Sequence, residues 1–194
     1  MMTIMRPISR MLGLRLKITG FHVLILGLIF VVSMLIVRHA AGQVAETTGG
    51  VSILDLNIGN SPGFIRETIV ALGENGRVAY LRFYLVDTFY PLTYAIFYSS
   101  WMVILLRHCR TGHNFRHLKA LPALPWIAAV FDWLENITIS SLLLLFPRDW
   151  QPLYVAASFA TIAKFSAIAL AVGGIVILLG NYLVQKIMHH RAPR

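Results

Sequence analysis

Four ionisable residues, Asp87, Asp132, Glu135 and Lys164, sit inside long apolar runs, and Asn136 adds an amide beside them. Carboxylates, an amine and an amide in that setting can hold a proton, seat a cation or grip a polar headgroup. Each charge at bilayer depth costs about 2.5–3.5 kcal/mol on insertion scales, so such groups face the protein interior and find partners. Asp87, Tyr90, Tyr94 and Tyr98 recur at steps of three and four and share one helix stripe. Asp132, Glu135, Asn136 and Ser140 share another. Three carboxylates against one amine leave two negative charges over, so either a carboxylate keeps a proton or a further cation enters. Lys164 reads as the counter-ion, Glu135 as the titrating group, and Asp87 with Tyr90 and Tyr94 as the entrance.

The elements that must position these side chains follow from composition. Of 194 residues, 57% are hydrophobic and 13% charged, and the mean hydropathy is +0.70. A soluble domain is about 45–50% apolar and about 25% charged. The apolar residues are grouped into runs of the roughly 20 residues that one bilayer crossing needs. The sequence therefore predicts an all-α integral membrane protein, a four-helix bundle forming a single transmembrane domain over residues 1–194. Its spans fall at about 20–37, 80–106, 123–146 and 153–184. The first run, Phe21 to Val37, is longer than the about 7–15 residues of a signal-peptide core and reads as a retained span. The second is longer than needed, with Arg82 in its first turns.

Residues 38–77 form the one long segment between spans. Gly42 to Gly50 reads as a loop. Ser61-Pro62 predicts a helix over 61–73, with Ser61 as N-cap, Gly73 as its end and Asn75-Gly76 as a turn. Phe64, Ile65, Ile69 and Leu72 make it amphipathic, an anchor or a lid lying on the membrane surface.

Basic residues set the orientation. Arg6, Arg10, Arg15 and Lys17 precede the first span; Arg107, Arg110, Arg116 and Lys119 follow the second; Lys186, Arg191 and Arg194 follow the fourth. On the other side, 38–77 carries three Arg against four acids, and 147–152 carries one Arg. This bias predicts both termini in the cytoplasm of a cell-membrane protein. It also accounts for the net charge of +9. No basic stripe is interleaved with aromatics, so nucleic acid is not an expected partner.

Other signals are weaker. Cys109, His113 and His117 recur every four residues beside His108, a spacing compatible with metal ligation on a continuous helix. Gly112 and the surrounding cations oppose it, so the segment reads as a basic loop against anionic headgroups, and neither metal nor cofactor is expected. A single cysteine excludes an intrachain disulfide. His22 has no second histidine across the bundle with which to hold haem. Asn136-Ile137-Thr138 matches a glycosylation sequon, but inside a span no transferase could reach it. Trp133 either lines the charged site or faces lipid. No nucleophile–base pair, phosphate loop or zinc-protease motif occurs. The fourth span is rich in small residues, Ala156, Ala160, Ala163, Ala167, Ala171, Gly173 and Gly174, which let membrane helices approach closely.

These observations lead first to a site, open to the outer leaflet, that binds or moves a small ligand: a cation, a proton or a lipid headgroup. Two other readings use the same residues. One is an accessory or scaffold subunit that docks a protein partner through the fourth helix. The other is an intramembrane enzyme acting on lipid with the carboxylates as acid and base, which would need a cavity large enough for a headgroup. A purely structural network gluing the helices together would need the same contacts.

Overall fold

A computed structural model describes residues 18–108 and 113–191, with side chains from 118 onward in the second stretch and up to 188. Every regular element among the described residues is helical. Four helical stretches are long and apolar enough to cross a membrane: Gly20–Thr47, Gly73–His108, Leu118–Leu145 and Gln151–Met188. They match the expected spans in number and order, and differ from them at several ends.

Helix α1 (Gly20–Thr47) continues past Arg38, where the span was expected to stop, through most of the expected Gly42–Gly50 loop. Gly42 costs a helix only about 1 kcal/mol. Ala40, Ala41 and Val44 recover that by packing into the core. At the start of the helix, His22 Nδ1 lies 2.6 Å from the Thr19 hydroxyl, so this histidine serves the cap. At its end the Thr48 hydroxyl donates to the carbonyls of Val44 and Ala45 at 2.9 and 3.2 Å. Gly49 and Gly50 then turn the chain with φ of 69° and 112°, a region that suits only glycine without strain.

The chain next makes a single 3₁₀ turn, Leu54–Leu56, and helix α2 (Pro62–Ala71). The Ser61 hydroxyl accepts the Phe64 N–H at 3.2 Å, as its position before Pro62 predicts. The apolar face of this helix is not left free for lipid, however. Ile65, Ile69 and Leu72 are buried in a core with Tyr80, Phe83, Ile139, Leu142 and Tyr154, so its apolar face packs onto the protein. Arg66 also pairs with Asp149 at 2.6 Å, tying α2 to the connection after the third span.

Gly73, at φ 62°, reverses the chain directly into α3 (Gly73–Asp87). The expected Asn75-Gly76 turn is therefore helical. Gly76 serves close packing instead: a Cβ there would collide with Thr48 Cγ2. The second span is not one helix either. It breaks at Thr88-Phe89 and resumes as α4 (Tyr90–His108). Pro91 has no N–H for the Asp87 carbonyl, which interrupts the ladder. The neighbouring Thr88 carbonyl accepts the Trp133 indole N–H at 2.9 Å, which gives Trp133 its role.

A 3₁₀ stretch, His113–Ala123, leads into α5 (Leu124–Leu145), and α6 (Gln151–Arg191) completes the chain. The closest packing is between α5 and α6, with α4 against both α1 and α5. Ala157, Ala160, Ala167 and Ala171 of α6 are buried, and Gly174 admits Leu121. Part of the small-residue face thus packs within this chain, while Ala156 and Ala163 are half-buried and Gly173 is exposed. The walls α1 and α6 are not packed together along their length.

Candidate functional site

The helices bring the polar residues to one place. Helix α5 supplies Asp132, Glu135 and Asn136, one turn apart on its buried face. Helix α6 supplies Thr161 and Lys164 opposite them, where its alanines allow close approach. Asp87 arrives at the last turn of α3, and Tyr94 one turn into α4. All are at most 5% exposed, and Glu135 and Thr161 not at all.

Lys164 is the hub. Its ammonium forms ion pairs with Glu135 and, at 3.3 Å, with Asp132 Oδ1. Asp132 Oδ2 accepts the Tyr94 hydroxyl at 3.1 Å. Glu135 Oε1 accepts the Thr161 hydroxyl at 2.5 Å. Asp87 does not reach Lys164; its Oδ2 accepts the Asn136 amide at 2.7 Å. Buried charges persist only when paired and hydrogen-bonded in this way, since the desolvation of each ion is worth several kcal/mol.

All seven residues expected at the site, Asp87, Tyr90, Tyr94, Asp132, Glu135, Asn136 and Lys164, are therefore brought together. One placement, that of Asp87, differs from its reading as part of the entrance. Glu135 lies behind Lys164 in the interior, and Asp87 is held against α5, so neither borders open space. Tyr90 and Tyr94 do.

One acid was not anticipated. The 3₁₀ turn dips into the bundle and delivers Asp55 to the cluster. Single carboxylate oxygens of Asp55, Asp87 and Asp132 all lie within 4.8 Å of one another. The turn is held by buried side chains: Leu54 N–H donates to the Tyr80 hydroxyl at 2.6 Å, and Asn60 Nδ2 donates to the Leu54 carbonyl at 2.8 Å. Tyr80 and Tyr84 in turn donate to Asp55 Oδ2 at 2.8 and 3.1 Å. Both tyrosines belong to the stripe of Asp87, Tyr94 and Tyr98, extended backwards at the same three-and-four steps. That extension was the available signal for them. For Asp55 the signal was a single acid within a short apolar stretch, Ile53-Leu54-Asp55-Leu56.

A cavity of about 270 Å³ opens from the cluster. Asp55, Asp132 and Lys164 form its polar end. Tyr90, Tyr94 and Tyr98 line one wall, Phe30 of α1 another, and Phe165, Ile168, Ala171 and Ile175 of α6 a third. From Lys164 to Ile175 the α6 wall runs about 16 Å at 1.5 Å per residue. Phe30 of α1 and residues of α6 line the cavity together, although the two helices are not packed along their length. Its shape suits a molecule with a polar head and an apolar body.

The weaker candidates separate. Cys109 lies outside the described residues, as do the side chains of His113 and His117. His108 Nδ1 lies 2.9 Å from the Ile104 carbonyl, and the ring meets Tyr182 edge-on. In comparisons with known proteins, no family model matches the chain, and neither a curated protein nor a solved structure resembles it.

Proposed function

We propose that this is a multi-pass cell-membrane protein that binds a small amphiphilic ligand, taken from the lipid through the gap between α1 and α6. The observation that carries the reading is the union of two features in one place. A buried network of acids and one amine stands at the end of an apolar cavity. A network serving only to glue helices needs no cavity. A scaffold docking through the small-residue face of α6 is less favoured, since Ala160, Ala167 and Ala171 on that face are buried inside this chain.

Native mass spectrometry of gently extracted protein tests the proposal. The wild type is expected to carry a small bound molecule. Asp132→Asn, which alters the polar end of the cavity, should lose at least nine-tenths of it while keeping its helical content. A wild type that is bare in every mild detergent, or an unchanged adduct in Asp132→Asn, contradicts the reading.

We further propose that both termini are cytoplasmic, as the basic residues at the ends of the spans favour. The Leu54–Asn60 segment and α2 then lie on the outer side, with the charged cluster in the outer half of the bilayer. In a Cys109→Ser background, Gly59→Cys should react with a membrane-impermeant maleimide on intact cells. Lys186→Cys should react only after permeabilisation. The reverse pattern would invert the topology.

A further inference from the structure

The head of the ligand can be specified from the cluster itself, an inference that rests on the ligand-binding reading above. The cluster holds four carboxylates, Asp55, Asp87, Asp132 and Glu135, and one ammonium, that of Lys164, which pairs with Asp132 and Glu135. This is a formal excess of three negative charges. Lys164 is shared between Asp132 and Glu135, so Asp55 and Asp87 have no cation within ion-pair distance among the described residues. The cluster is also short of donors. Asp55 Oδ1 and Asn136 Oδ1 are buried and meet no hydrogen-bond donor, and Asn136 is itself only 5% exposed. Buried acceptors of this kind are nearly always satisfied in a folded protein.

What would complete the site is a group with positive charge and several N–H donors. A primary ammonium has three donors and no acceptor. Beside the cluster stand the rings of Tyr90, Tyr94 and Tyr98, whose faces attract cations. Beyond them the walls are apolar, which an alkyl chain satisfies and water does not. A hard divalent ion fits less well. Calcium takes six to eight oxygens, whereas the space adjoining these carboxylates is lined by tyrosines, alanines and isoleucine. An anionic head would meet the excess of carboxylates, and so would the phosphate of a phospholipid headgroup. The geometry points to a protonated amine on a single apolar chain, its nitrogen between Asp55 and Asp132 at the polar end of the cavity, with the Asp87 carboxylate behind them, and its chain along Ile168, Ala171 and Ile175.

The test uses the full-length protein in nanodiscs, titrated separately with dodecylamine, with dodecanol and with Mn²⁺, and binding is read by native mass spectrometry. Dodecylamine is expected to bind at least tenfold more tightly than dodecanol, which has the same chain and no charge. Asp55→Asn should bring the amine down to the level of the alcohol. Asp87→Asn is the second variant, and should do the same should Asp55→Asn fail to fold. Equal binding of amine and alcohol would overturn the amine seat and leave the amphiphile cavity standing. Failure of both to bind would remove the ligand reading itself. Binding of Mn²⁺ that Asp55→Asn abolishes, without an amine preference, would give the seat to a metal ion and also overturn the inference.

Discussion

Lys164→Met is expected to be the most damaging single substitution in the helical bundle, costing about 3–5 kcal/mol. The ammonium it removes is the shared partner of Asp132 and Glu135, and Glu135 is wholly buried. Methionine matches the stem in length and packs well, so the loss is electrostatic rather than steric. The Tyr94 and Thr161 hydroxyls each still donate to one of the acids, but a neutral donor does not replace a charge. Reversible unfolding of the purified protein in mixed micelles, followed by circular dichroism, measures the effect. A loss below about 1 kcal/mol, the scale of an exposed ion pair, would mean that water reaches the cluster.

The second large effect concerns the cavity. Ala171→Trp projects an indole into the apolar wall opposite Tyr98, where the structure has space. Affinity for the co-purified ligand is expected to fall at least a hundredfold. Stability should change by no more than about 1–3 kcal/mol, the range for inserting bulk into a protein interior. The converse pattern, intact binding with a collapsed fold, would show that Ala171 serves packing and that the ligand lies elsewhere. Thermal unfolding and native mass spectrometry on the same preparation separate the two.

Much of this architecture was legible from the chain because a bilayer constrains sequences strongly. Hydrophobic runs, flanking cations and the cost of intramembrane charge gave the four candidate spans and drew attention to Asp87, Asp132, Glu135 and Lys164. Helical steps gave their common face. Where the reading failed, tertiary contacts outweighed local signals. Gly42 and Asn75-Gly76 are loop-forming sequences held in helices, the first because Ala40, Ala41 and Val44 are buried around it, the second because Gly76 lets α3 pass close to Thr48. The apolar face of α2 is equally consistent with lipid or protein on periodicity alone; only the placement of Ile139, Leu142 and Tyr154 decides it. Asp55 was out of reach for a related reason. Its turn lies between spans in the sequence, and its entry into the bundle depends on Tyr80 and Asn60, 25 and 5 positions away. Pairing within the cluster was likewise not readable. Helical depth allows Lys164 to meet Glu135 or Asp87, and the choice of Asp132 with Glu135 follows from how α5 and α6 are rotated against each other.

The most direct measurement is a double-mutant cycle on the pair at the centre of the site. Lys164→Met, Glu135→Gln and the combination are each unfolded in the same micelles. A coupling energy of at least about 1.5 kcal/mol, in the range found for close charge pairs, is expected, with the double variant recovering much of what Lys164→Met alone loses. Additive losses, with coupling indistinguishable from zero, would mean that acid and amine do not meet inside the protein.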